Sequence, residues 1–173
     1  MEAKKPISHF IASIIIAAVI IIYSFMLNFL GKSQDKTLGW VAYILFAAGL
    51  ILFINLYGNA KKNEVTFGNL FSYGFKTTAL STLIIILCLV AVIFLMPDFK
   101  QKILDGMRKG MEDQGKLTDE KMDQAVDWVS GHFLLIIVGG ALFMYLLIGV
   151  IGSLLGAAIT KKKPVNPLDQ MSM

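Results

Sequence analysis

Apolar residues along this chain gather into four long blocks, and the charged ones are confined to the segments between them. Ile7–Leu30, Leu38–Tyr57, Thr77–Met96 and Phe133–Ile159 contain no Asp, Glu, Lys or Arg, at lengths of 24, 20, 20 and 27 residues. A helix needs about 20 apolar residues to cross a hydrocarbon core of roughly 30 Å, so each block predicts a transmembrane helix. A fully buried core helix is the alternative for any one block. Four of those in 173 residues would leave too little polar surface to cover them. The pattern therefore predicts an all-α membrane protein, a single bundle over residues 1–173 with four transmembrane helices.

The connections carry their own signals. Gly31–Thr37 is short, so spans one and two form an antiparallel hairpin. Gly58–Thr66 is a polar turn, after which Phe67, Leu70, Phe71, Gly74, Phe75 and Thr78 recur at helical spacing. That spacing predicts an amphipathic approach helix lying along the head-group layer before span three. Lys76 then sits at the interface, within snorkelling reach of the head groups.

The third loop, 97–132, is long enough to fold in water. Phe99, Ile103, Leu104, Met107 and Met111 form one stripe of a helix that begins after Pro97, with Asp98 as its N-cap and Gly115 as a stop. A second start follows at Thr118, with Asp119 and Glu120 in the first turn and Leu117 placed to staple against Met122. Met122, Ala125, Val126 and Val129 continue the stripe, and Trp128 and His132 mark the return to the interface, where aromatic rings are favoured. Two amphipathic helices of this size need each other, the membrane surface or a partner.

Span four carries the densest row of small residues: Gly149, Gly152, Ser153 and Gly156. Gly152 and Gly156 make a Gly-x-x-x-Gly in an apolar helix, and Gly149 with Ser153 repeats the spacing on the adjoining row. Such faces let two backbones approach closely. The partner is either another span of this chain or a second protein.

Composition narrows the class further. The chain is 56% hydrophobic and 16% charged, against roughly 25% charged in soluble chains, and its mean hydropathy is +0.69. This excludes a secreted domain, a soluble enzyme and a disordered tail. The first block is too long for a signal peptide and has no small-x-small cleavage site, so it reads as an uncleaved anchor. The N-terminus, second loop and C-terminus hold Lys4, Lys5, Lys61, Lys62, Lys76 and Lys161–Lys163 against three acids, while the other side holds eight basic residues and nine acids. Lys161-Lys162-Lys163 directly follows the last apolar residue, which places both termini in the cytoplasm and the helix pair outside. The pI near 9.1 follows from lysines that meet anionic lipid; no basic run with interleaved aromatics indicates nucleic acid.

Chemistry is sparse. No block contains a carboxylate to serve as a proton relay or coupling site. Nucleotide-binding, zinc-protease and nucleophile-elbow motifs are absent from the sequence. His9 and His132 fall on opposite sides of the bilayer and cannot share a metal. The eight acids of the outer loop could bind a divalent cation loosely, but helix-start acids explain them better. Cys88, alone in span three, reads as a small hydrophobe. Thr77, Thr78, Ser81 and Thr82 could line a polar path only if several copies assembled with that face inward. The expected function is a non-enzymatic accessory or scaffold subunit of a membrane complex, docking through the span-four glycine face or the outer helices, with no cofactor or metal. The alternative is a small homo-oligomeric channel or carrier for a small solute.

Tyr57 to Phe75, with its Lys61-Lys62 turn and Val-Thr-Phe-Gly-x-Leu-Phe-x-x-Gly-Phe run, and the outer Gly-Lys-Leu-Thr-Asp-Glu-Lys-Met stretch carry a resemblance. Nearly the whole chain resembles a family of small four-span bacterial membrane proteins catalogued as a domain of unknown function. The resemblance implies the bacterial inner membrane, four spans and no catalytic residues to carry over. It also suggests a larger membrane protein, such as a polyprenyl-phosphate glycosyltransferase, as a partner.

Overall fold

A computed structural model describes residues 6–33, 35–96, 98–115 and 118–163. They form six α-helices and no strand: α1 (His9–Phe29), α2 (Lys36–Ala60), α3 (Phe67–Leu95), α4 (Asp98–Glu112), α5 (Asp119–Gly131) and α6 (Phe133–Ile159). Four of them, α1, α2, α3 and α6, are long and apolar enough to cross a membrane. This is a membrane protein.

Local chemistry sets the helix ends. The Ser8 hydroxyl accepts from Ile11 N, the Asp35 carboxylate from Thr37 N and Leu38 N, and the Thr66 hydroxyl from Asn69 N, each satisfying N–H groups that a helix start leaves open. Gly31 (φ +67°) and Gly115 (φ +60°) adopt the left-handed conformation that glycine tolerates without steric cost, so the chain reverses there. Asp98 is the first residue of α4 rather than its cap. Thr118 occupies the N-cap position of α5, but its side chain makes no capping bond. Pro97 and Leu117, the expected start and staple, lie outside the described residues.

α3 is the hub of the bundle. It packs most extensively on α6 and also on α1 and α2, while α6 lies against α2. The main core joins Ala12, Ile16, Ala17 and Ile20 of α1 to Phe46, Leu50 and Ile54 of α2, Leu70 and Tyr73 of α3, and Ala157 of α6.

One expectation needs correction. Phe67–Thr78 is not a separate helix along the head groups but the first turns of an unbroken α3. Leu70, Tyr73 and Gly74 are buried, Tyr73 stacks on Tyr57 at 4.3 Å, and its hydroxyl donates to Ile7 O at 3.1 Å. The apolar stripe was real. Leu70, Gly74 and Thr78 of it pack against the bundle, Phe71 is half-buried, and Phe67 and Phe75 are exposed; at 29 residues α3 is about 43 Å long, enough to emerge from the hydrocarbon while still packed.

Candidate functional site

The small residues of α6 divide between two partners in the same chain. Gly149 and Ser153 face α3: a Cβ at Gly149 would overlap the Thr78 side chain, and Ser153 Oγ stands 2.8 Å from where a Cβ of Gly74 would sit. Gly152 and Gly156 face α2, where a Cβ would come within 3.5 Å of Ala47 Cα and 2.7 Å of Ile54 Cδ1 respectively. All four are buried. The row predicted for packing or docking is thus occupied within one chain.

The hydroxyl face of α3 is buried in the same region. Ser13 Oγ reaches His9 O (2.6 Å) and Thr77 O (3.1 Å), Ser81 Oγ donates to Ser13 O (3.2 Å), and Thr77 Oγ1 donates to Tyr73 O. Thr78 Oγ1 and Ser153 Oγ are 3.4 Å apart. These bonds tie α1, α3 and α6 together where lipid offers no hydrophobic drive between helices.

α4 and α5 form a second, smaller core with the adjoining turns of α3 and α6. Leu104, Val129 and Phe133 are buried, with Ile103, Met107, Val126 and Ile93 packed around them. Met122 is buried too, whereas Phe99 and Met111 are half-buried. Lys100 Nζ donates to Ser130 O at 3.1 Å and sits 5.7 Å over the Phe133 ring. Arg108 pairs with Glu112 on its own helix and with Asp123 across to α5; the Glu112 hydrogen bond, then the charge of Asp123, hold its guanidinium above its ordinary pKa. The expected stripe therefore mostly faces inward. Trp128, 62% exposed, lies outside it against His132, and Lys76 is exposed at the far end of the bundle.

Small residues bring the helices together at the end where α1 begins and α6 finishes. Bulkier ones hold them apart at the other, leaving a cavity of about 310 Å³. Its walls are Ile20, Ser24 and Asn28 of α1, Tyr43 of α2, Ile85, Cys88 and Val92 of α3, and Ile137, Ala141 and Tyr145 of α6. Phe99 and Ile103 of α4 close it toward the helix pair. Tyr145 packs against both Tyr43 and Phe46 with ring centroids 5.1 Å apart, setting one wall. Few polar groups reach it, so its chemistry suits hydrocarbon.

Residues 10–162 match the family described as Protein of unknown function (DUF4199). The chain belongs to this family. That span includes the Tyr57–Phe75 stretch and the Gly-Lys-Leu-Thr-Asp-Glu-Lys-Met segment that carried the resemblance. No curated protein and no solved structure matches the chain. Among the described residues of this DUF4199 chain, no three His, Cys, Asp or Glu side chains gather as metal ligands.

Sequence reasoning located the tight end of the bundle and missed the cavity. The signal was present: Ile137, Ala141, Tyr145 and Gly149 follow one another at four-residue intervals, so one stripe of α6 passes from wide to close packing. Nothing in that spacing alone shows that the opposing helices leave room.

Proposed function

We propose that this protein is a non-enzymatic accessory component of a bacterial inner membrane whose role is to hold a lipid hydrocarbon chain between its spans, beneath the α4–α5 pair. The cavity carries this reading. At about 310 Å³ it falls at the lower edge of ligand-pocket volumes, roughly 300–1,000 Å³. Most of its lining is apolar, and the surrounding medium is acyl chains.

The orientation that fits is termini and α2–α3 turn on the cytoplasmic side, helix pair outside. Among the described residues the first end holds Lys61, Lys62, Lys76 and Lys161–Lys163 against the single carboxylate Glu64, the asymmetry of a cytoplasmic face. A protein partner, a polyprenyl-phosphate glycosyltransferase included, would engage a surface other than the glycine row, which α2 and α3 already cover. The alternative, a homo-oligomeric channel or carrier, draws on the hydroxyl face of α3, which is buried within one chain.

Native mass spectrometry of protein extracted in mild detergent tests the reading. One lipid should remain per chain, and Ala141→Phe, which fills the cavity, should remove it while the outward-facing Leu142→Ala should not. Lipid-free wild-type protein, or lipid retained by Ala141→Phe, would overturn the proposal. The same spectra report any stoichiometric second protein, and ion flux in liposomes would favour the channel.

A further inference from the structure

We propose that the cleft where α1, α2 and α3 meet beside the α2–α3 turn binds a phosphate-bearing anion. It is a cavity of about 490 Å³, separate from the apolar one and independent of its occupant. His9, Lys61 and Lys76 reach it from three different segments, joined by the polar side chains of Asn69, Ser72 and Tyr57. No Asp or Glu lines it.

Three of the chain's cations have partners: Lys100 on Ser130 O, Arg108 on Glu112 and Asp123, and Lys162 on Ala157 O. Lys61 and Lys76 have no ion pair or side-chain hydrogen bond among the described residues.

Depth and donor geometry select the anion. Lys76 immediately precedes Thr77–Leu95, 19 uncharged residues of α3, about 28 Å of helix and close to the hydrocarbon thickness. The cleft therefore lies at head-group level. Several donors on different sides suit the oxygens of phosphate better than the two of a carboxylate. The phosphate belongs either to a lipid head group of that leaflet or to a soluble phosphate.

The test titrates the full-length protein in detergent with dioctanoyl phosphatidylglycerol and, separately, inorganic phosphate. Lys61→Gln/Lys76→Gln should weaken binding about tenfold or more, whereas Lys32→Gln, at the opposite end, should leave it unchanged. Weakened binding of inorganic phosphate identifies a soluble source; weakening confined to the lipid identifies a head group. The proposal fails if the double variant binds both probes as wild type does, or if Lys32→Gln weakens them equally. Should the double variant not fold, His9→Gln replaces it under the same criteria.

Discussion

Thr78 Oγ1 lies 3.4 Å from Ser153 Oγ, both fully buried where α3 crosses α6. The hydroxyl pair itself is weak, since 3.4 Å is long for an O–H···O bond. What fixes the crossing is the space beside it: Gly149 leaves room for the Thr78 side chain that any Cβ would fill. Gly149→Leu should therefore lower the melting temperature and yield sharply. Ser153→Ala should cost less than about 1 kcal/mol, near the average for interhelical hydrogen bonds in membranes. Thermal unfolding of the two variants in one detergent decides between packing and hydrogen bonding as the dominant tie.

Along the adjoining row the two glycines are not equivalent. A Cβ at Gly156 would meet Ile54 Cδ1 at 2.7 Å and the Ile51 backbone at 3.3 Å, whereas at Gly152 nothing comes nearer than 3.5 Å. Gly156→Ala should destabilise, and Gly152→Ala should be nearly neutral. Leu at either position should cost about 1–3 kcal/mol through overpacking, while Leu142→Ala, at an exposed site, should do little. Loss of a bound protein from Gly152→Leu with an unchanged melting temperature would return this face to a docking role.

The sequence made span four legible, Phe133–Ile159, because the apolar run is bounded by Ser130-Gly131-His132 on one side and Thr160-Lys161 on the other. α3 was read too short. Periodicity at Leu70, Phe71 and Gly74 shows that one helix face is apolar, not whether lipid or protein covers it. Span-four packing was legible as a property of the row but not as a choice of partners. Only the structure assigns Gly149 to Thr78 and Gly156 to Ile54. The cavity depends on four helices at once, and no local pattern encodes it.

Orientation is open to direct labelling. In a Cys88→Ala background, Gln114→Cys should react with an impermeant maleimide in intact spheroplasts, and Glu64→Cys only after permeabilisation. Both sites are exposed, and Glu64 avoids the left-handed backbone of Lys62 and Asn63 (φ 56° and 63°). Reversed labelling would place the helix pair in the cytoplasm.

The helix pair should come off its seat before the bundle unfolds. Leu104 is the buried α4 side chain linking α5 to the start of α6, and Leu→Ala in a core costs about 2–5 kcal/mol. Leu104→Ala should raise hydrogen exchange across Asp119–Gly131 while Thr77–Leu95 stays protected. Arg108→Met should raise it far less, because its exposed ion pairs are screened by solvent. Equal exchange in both variants would mean that the charges, not the apolar stripe, hold the pair.

Cys88 provides the most direct report on what fills the cavity. It is the only cysteine of the chain, and its half-buried side chain lines the cavity wall. If hydrocarbon occupies that space, an apolar pyrene maleimide should label it and a charged, impermeant one should not. Ala141→Phe should slow the apolar reagent, because the same volume is then filled by a ring. Rapid labelling of the wild type by the charged reagent would mean that water reaches the middle of the bundle. The cavity would then be part of an aqueous path, and the channel reading would replace the lipid-binding one.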